Sequence, residues 1–213
     1  WNRVAYNMVR ALALRGLKVA VGDSSPMAMS KASRYSTASF GYRSFYKQPQ
    51  DFIADMESAF HRFKPNVYLP AHEETFVAAR YRDRLQKTGV KIPLADFDAL
   101  RTLHKKDLLA IEVQRLGIPA PKTFRWECLE DLRGVWDEAG RKGRVTIKMV
   151  NTNSAKGVFY ADSFERMQSV CANVTKDEKL LPKDYPLIQE YVEGIGYGVS
   201  MLFNHGVLKA KFT

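Results

Sequence analysis

This sequence has little cysteine, no long apolar run and no concentrated block of charge, and each shortage excludes something. Its 213 residues include two cysteines, Cys128 and Cys171, far apart and without a Cys-x-x-Cys pair or a nearby histidine. That excludes a disulfide framework and a cysteine-based zinc site; two free thiols in a reducing cytoplasm are the simplest account. No stretch reaches the roughly 20 consecutive apolar residues of a membrane-spanning helix. The opening residues lack the uninterrupted apolar segment and cleavage site of a secretory signal, so no membrane partner is expected. Lys and Arg number 33 against 23 Asp and Glu, a formal net charge of +10 that favours anionic partners. These basic residues are spread along the chain, with no dense block and no basic amphipathic helix. Solvated basic faces explain them, and no nucleic-acid partner is expected.

What is present is ordinary globular composition, 46% apolar and 26% charged. The length suits one large domain or two small ones. The chain opens inside a helical pattern without an initiating Met and stops inside a strand pattern, which reads as part of a longer protein.

The first half alternates helices and strands, as an α/β domain does. Val4, Met8 and Leu12 share one face of a helix over residues 2–15, and Gly16 stops it. Residues 17–21 read as a buried strand, ended by Gly22-Asp23-Ser24-Ser25-Pro26. A helix followed by a strand ending in an acid has the order of the second step of a dinucleotide-binding fold, although the preceding strand and its Gly-rich turn are missing. Asp23 is read as stabilising its turn rather than holding a ribose. A helix is predicted over 49–63, with Phe52, Ile53, Met56 and Phe60 on one stripe. A short strand over 67–70, a helix from about 71 to 85, and a last short strand over 92–94 follow. His72, Glu73 and Glu74 come directly after a strand, where ligands gather in open α/β sheets. Two carboxylates at a helix N-terminus are favourable without any ligand, so both readings stand.

In the second half a helix is predicted over 103–116, ended by Gly117-Ile118-Pro119-Ala120-Pro121, whose prolines force an extended segment over 121–126. A helix over 129–139 leads to residues 144–159. There a short strand ends in Lys148, small polar residues fill 151–157, and a second strand begins at Val158. A strand-end ammonium beside a loop of small residues, whose backbone N–H groups can approach anionic oxygens, suits a polyphosphate. An ordinary β-hairpin with a polar turn fits the same stretch. A helix over 162–173, a strand over 187–194 and a hairpin turning at Asn204-His205-Gly206 complete the chain.

Three motifs in this half fall in a fixed order. The first is Lys106 near the start of a helix that ends in Gly-Ile-Pro-x-Pro. The second is Ile147-Lys148 followed by Ser154-Ala155-Lys156-Gly157-Val158. The third is Gln189-Glu190-Tyr191-Val192-Glu193-Gly194, followed by Tyr-x-Val-Ser and a hairpin. As an ordered set they resemble the ATP-grasp superfamily, of the carbamoyl-phosphate-synthase-like kind. The first half, with VAVGDSSPMAMS and PAHEETF, is similar to the α/β domain that precedes the ATP-grasp domain in that family.

The resemblance implies a Rossmann-like domain over 1–96, lacking its first strand, and an incomplete α+β ATP-grasp domain over 97–213. It implies that Lys106 and Lys148 reach the nucleotide phosphates and that a mobile loop, including Ser154, Lys156 and Gly157, closes over them. Adenine would meet Gln189, Glu190, Tyr191 and Val192 at a hinge. The implied ligands are ATP, Mg²⁺ and a small carboxylate, for which His72, Glu73 and Glu74 are candidates; a homodimer is one arrangement open to the protein. The implied activity is an ATP-dependent carboxylate–amine or related ligase acting through an acyl-phosphate. A non-catalytic nucleotide-binding or regulatory module of the same fold is the alternative.

Two departures stand out. Many relatives place an acidic residue for the ribose shortly after the hinge glycine, where this chain has Gly194-Ile195-Gly196-Tyr197-Gly198. Asn151, Asn153 and Ser154 occupy loop positions where glycine is common. The family's catalytic arginine and its metal-binding acids are expected beyond residue 213, with no metal ligands within this chain.

Overall fold

The computed structural model describes residues 3–152 and 157–213. Ser154 and Lys156, two of the expected loop residues, lie outside the described residues. The chain divides into two compact units, Trp1–Leu103 and His104–Thr213.

In the first unit, α1 (Arg3–Ala13) is followed by β1 (Ala20–Asp23), which pairs in parallel with β2 (Ala38–Gly41). The longest helix here is α2 (Pro49–Phe63), with Pro in its first turn, where the missing N–H has no intrahelical partner to lose. Phe52, Ile53, Met56 and Phe60 form the predicted stripe and are fully or almost fully buried. They pack against Ala78, Leu85, Val90 and Ile92, and each large apolar side chain so buried contributes roughly 1.5–3 kcal/mol.

Two expectations for this unit change, and two further elements appear. The strands over 67–70 and 92–94 reduce to one parallel bridge between Val67 and Lys91. Pro70 and Pro93 lack the N–H donors that would lengthen the ladder. The helix over 71–85 is two, α3 (Glu74–Arg80) and α4 (Arg82–Gln86), broken at Tyr81. The short strand β2 has no counterpart in the sequence reading. A further helix, α5 (Phe97–His104), follows Ala95-Asp96.

The second unit begins with α6 (Lys106–Arg115). The predicted helix over 103–116 is thus interrupted at Lys105, whose backbone is extended (φ −76°, ψ 116°). The remaining elements are β3 (Thr123–Phe124), α7 (Asp131–Ala139), β4 (Val145–Lys148), β5 (Val158–Ala161), α8 (Phe164–Asp177), β6 (Leu187–Glu190), β7 (Ser200–Asn204) and β8 (Val207–Phe212). Ser163 caps α8, its hydroxyl accepting from the Arg166 N–H at 3.1 Å.

Strands β3, β6, β4 and β5 form one antiparallel sheet in that order. Val145, Ile147 and Ile188 of the sheet are packed in one core with Leu132 of α7 and Met167 and Cys171 of α8. The Trp126 indole N–H joins this core by donating to the Pro186 carbonyl at 2.8 Å. β7 and β8 form a separate antiparallel pair. Both cysteines are free thiols, and burial pushes the Cys171 thiol up to about 12.

Candidate functional site

In the second unit the fold brings Lys106 and Lys148 together from opposite origins. Lys148 ends β4, the strand held between β5 and β6, so its backbone is fixed on both sides. Lys106 is the first residue of α6, and its backbone N–H approaches the Val150 carbonyl at 3.5 Å. Its ammonium donates to the Thr152 carbonyl at 2.6 Å and lies 3.4 Å from the Thr152 hydroxyl. A cation in the first turn of a helix opposes the helix dipole. Partial burial lowers the pKa of both ammoniums, and the Lys148 charge lowers that of Lys106 further.

Among the described residues, no carboxylate pairs with either ammonium. The adjacent Asp107 is committed to Arg125 at 2.9 Å. Two half-buried cations brought side by side concentrate positive potential. The arrangement suits a polyanion.

The backbone beside this pair is closed by Gly157. Its carbonyl accepts from the Met149 N–H at 2.8 Å, and its φ of +72° is one that side chains disfavour. A Cβ there would stand 2.5 Å from Met149 Cγ and 3.1 Å from Thr152 Oγ1. Glycine is required at this position on both counts.

The third motif lies on β6. Gln189 donates its side-chain amide to the Thr123 hydroxyl at 2.7 Å. The Glu190 carboxylate accepts from the Lys122 N–H at 3.1 Å, and the Glu190 N–H donates to the Lys122 carbonyl. These bonds fasten β3 to β6. Tyr191 meets Tyr160 of β5 edge-on, with ring centroids 6.1 Å apart, and the Arg144 guanidinium lies over both rings. Val192 is exposed, and its N–H has no hydrogen-bond partner among the described residues. Thr152, Thr123 and Arg144 are participants the sequence reading missed, and no spacing or residue pattern singles them out.

In the first unit, Glu74 is buried and opens α3, its carboxylate accepting from the Ala71 N–H at 3.0 Å. Glu73 accepts a hydrogen bond from the Tyr46 hydroxyl; that bond, with partial burial, pushes Tyr46 up to about 12. Burial, and then the Glu74 charge, raise the pKa values of Tyr42 and Tyr68. His72 is exposed, and Asp23 accepts from the Ser25 N–H at 2.7 Å, which stabilises its own turn. Among the described residues, no group of three or more His, Cys, Asp or Glu side chains is placed to hold a metal ion, and no helix is long and apolar enough to cross a membrane.

No protein-family model matches the sequence, and no curated protein matches it significantly. Solved structures do match. The biotin carboxylase domain of the Hydrogenobacter thermophilus 2-oxoglutarate carboxylase, in complex with MgADP, ADP and bicarbonate, is similar at a TM-score of 0.68 and 12% identity. It matches over 89% of this chain and 42% of its own. An L-amino acid ligase from Bacillus licheniformis follows at 0.65 and 14% identity, over 89% of this chain and 42% of its own. The Staphylococcus aureus N5-carboxyaminoimidazole synthetase complexed with ADP gives 0.62 and 15% identity, over 90% and 45%. This chain spans less than half the length of each. All three are ATP-grasp enzymes, and over the matched residues this chain has their fold.

Proposed function

We propose that these residues are the nucleotide-binding part of an ATP-dependent carboxylate–amine (or related) ligase. The observation that carries the reading is the convergence of Lys106 and Lys148, two half-buried ammoniums without carboxylate partners among the described residues. They would hold the phosphates, and Ser154, Lys156 and Gly157 would contribute to the same phosphate site, as the resemblance implies. Gln189 to Val192 would border the adenine, the free Val192 N–H serving as a donor to the purine edge. The solved neighbours that hold ADP or MgADP support a nucleotide as the ligand.

In this reading residues 1–96 are a Rossmann-like domain and 97–213 an incomplete ATP-grasp domain, within a cytoplasmic protein of the carbamoyl-phosphate-synthase-like kind. His72, Glu73 and Glu74 would face the carboxylate. A carboxylate oxygen attacks the γ-phosphorus, ADP leaves, and the amine nitrogen then displaces phosphate from the acyl-phosphate, losing a proton. Charge developing on the transferred group is what the lysines would stabilise. Among the described residues, no cluster of His, Cys, Asp or Glu is placed to hold Mg²⁺.

A regulatory module is the second reading. One observation favours it: the Gln189 and Glu190 side chains are occupied in fastening β3. Incubating the full-length parent with ATP, Mg²⁺ and panels of carboxylates and amines separates the two. ADP release that needs a particular carboxylate supports the ligase; saturable nucleotide binding without turnover on any pair supports the module.

A further inference from the structure

A concavity of about 580 Å³ lies in the first unit between α1 and the loop that joins β1 to β2, within the roughly 300–1,000 Å³ of small-molecule sites. None of its lining residues belongs to the nucleotide motifs or to the His72–Glu74 cluster. Tyr6 and Arg10 are four positions apart on α1 and so share one face of it. The facing wall is the run of turns over residues 29–35. There the Lys31 N–H donates to the Ala28 carbonyl at 3.0 Å and the Ser36 N–H to the Ser33 carbonyl at 2.9 Å. Ala28 and Ser30 are buried and anchor this run, while Met29, Ser33, Arg34 and Tyr35 line the concavity.

Two guanidiniums meet here on one oxygen. Arg34 donates from Nη2 to the Tyr35 hydroxyl at 3.1 Å, and Arg10 reaches the same hydroxyl from α1. Those bonds lower the Tyr35 pKa, the Arg34 bond contributing most. A phenol supplies lone pairs but no full negative charge. Among the described residues, neither arginine has a carboxylate partner, and no acid lines the concavity. Other arginines of this unit are committed, Arg43 to Asp51 and Asp55 and Arg84 to Glu57. Two like charges drawn to one uncharged oxygen repel each other, and each planar fork keeps further donors for a ligand.

An anion with about two charges and several acceptor oxygens offsets both cations. A phosphate monoester carries about −1.5 to −2 at neutral pH and three strong acceptor oxygens, whereas a carboxylate offers a single charge and two oxygens. We propose that this concavity binds the phosphate group of a small molecule, gripped by Arg10 and Arg34 with the hydroxyls of Tyr6, Ser33 and Tyr35 as further donors. Met29 supplies an apolar wall for the organic part of an ester. This inference goes beyond the nucleotide reading and does not depend on it.

The test is a calorimetric titration of phenyl phosphate, and separately of inorganic phosphate, into the full-length parent carrying Lys106→Ala and Lys148→Ala, at fixed ionic strength. That background removes the other cations proposed to hold phosphate. Saturable binding of either probe, weakened roughly tenfold or more by adding Arg10→Gln or Arg34→Gln, supports the proposal. Tighter binding of phenyl phosphate then marks an ester as the ligand, and inorganic phosphate binding at least as tightly marks the free ion. No saturable binding overturns the proposal, as does binding that both glutamine variants retain in full. A second readout needs no arginine substitution: phenylglyoxal labelling mapped by mass spectrometry. Phenyl phosphate is expected to slow labelling of Arg10 and Arg34 but not of the exposed Arg15; unchanged labelling of the pair overturns the proposal. Either failure leaves MgADP binding by the unsubstituted parent untouched, so it is distinct from failure of the ligase reading.

Discussion

The Lys106 ammonium lies 2.6 Å from the Thr152 carbonyl, a contact spanning 46 positions of sequence. It ties the first turn of α6 to the backbone that follows β4 and holds one cation near another, Lys148, whose charge it feels. An ammonium in this position is poorly solvated and poorly compensated. That is unfavourable for the empty protein and useful for a site that receives phosphate.

Replacing Lys148 by Met therefore raises stability in the absence of nucleotide. Burial lowers the Lys148 pKa, so the folded chain binds that proton less tightly than the unfolded chain. The resulting cost is fully present below the folded pKa and fades as pH rises toward the ordinary value of 10.5. For the half-buried Lys148 the expected gain at pH 7 is below about 1 kcal/mol, a rise in Tm of about 2 °C, and it is smaller at pH 10.5. Thermal unfolding at pH 7 and pH 10.5 measures it. A fall in Tm at pH 7 would show that the ammonium is already stabilised by a partner.

Gly157→Ala is expected to destabilise the second unit by roughly 2–4 kcal/mol, combining left-handed backbone strain with overpacking against Met149. Adding Met149→Ala removes the Cγ contact but leaves the residue-149 Cβ, 2.8 Å from the new methyl, and the backbone strain, so the double variant recovers only part of the loss. Urea unfolding of the three proteins checks this. Full recovery would place the whole cost on the side-chain contact.

Much of this arrangement is legible in the sequence, and the remainder depends on pairing that sequence does not encode locally. Alternation through Val145, Thr146 and Ile147 places Lys148 at a strand end, and Gly157 closes the returning turn as its residue type suggests. The stripe of Phe52, Ile53, Met56 and Phe60 is equally plain. By contrast, Thr152 is one polar residue among several until α6 brings Lys106 against it. The interruption of the helix at Lys105 leaves no mark in residue type. The reduction of two strands to one Val67–Lys91 bridge follows from Pro70 and Pro93 only once the two segments are known to pair. Arg144 stands over Tyr160 and Tyr191 because β4 separates β5 from β6, an order no spacing reveals.

Glu74 separates capping from substrate binding. Its carboxylate accepts from the Ala71 N–H, a bond that a Gln amide oxygen can also accept. Glu74→Ala is expected to lower stability by about 1 kcal/mol through loss of that bond. Glu74→Gln is expected to leave Tm within about 1 °C. If the site reading is right, Glu74→Gln in the full-length protein lowers kcat/KM for the carboxylate at least tenfold without a stability change. Unchanged kinetics, together with unchanged activity of a His72→Ala/Glu74→Ala double variant, would leave capping as the whole role of this cluster.

The most direct measurement is a calorimetric titration of MgADP into the full-length parent, with Lys106→Ala and Lys148→Ala beside it. The account predicts saturable binding in the parent, weakened at least tenfold in each variant, with Tm of the empty protein unchanged or raised by Lys148→Ala. Binding that is equally tight in all three proteins would contradict the placement of the phosphates on these two lysines. Absence of binding in the parent would contradict a nucleotide role for this fold altogether.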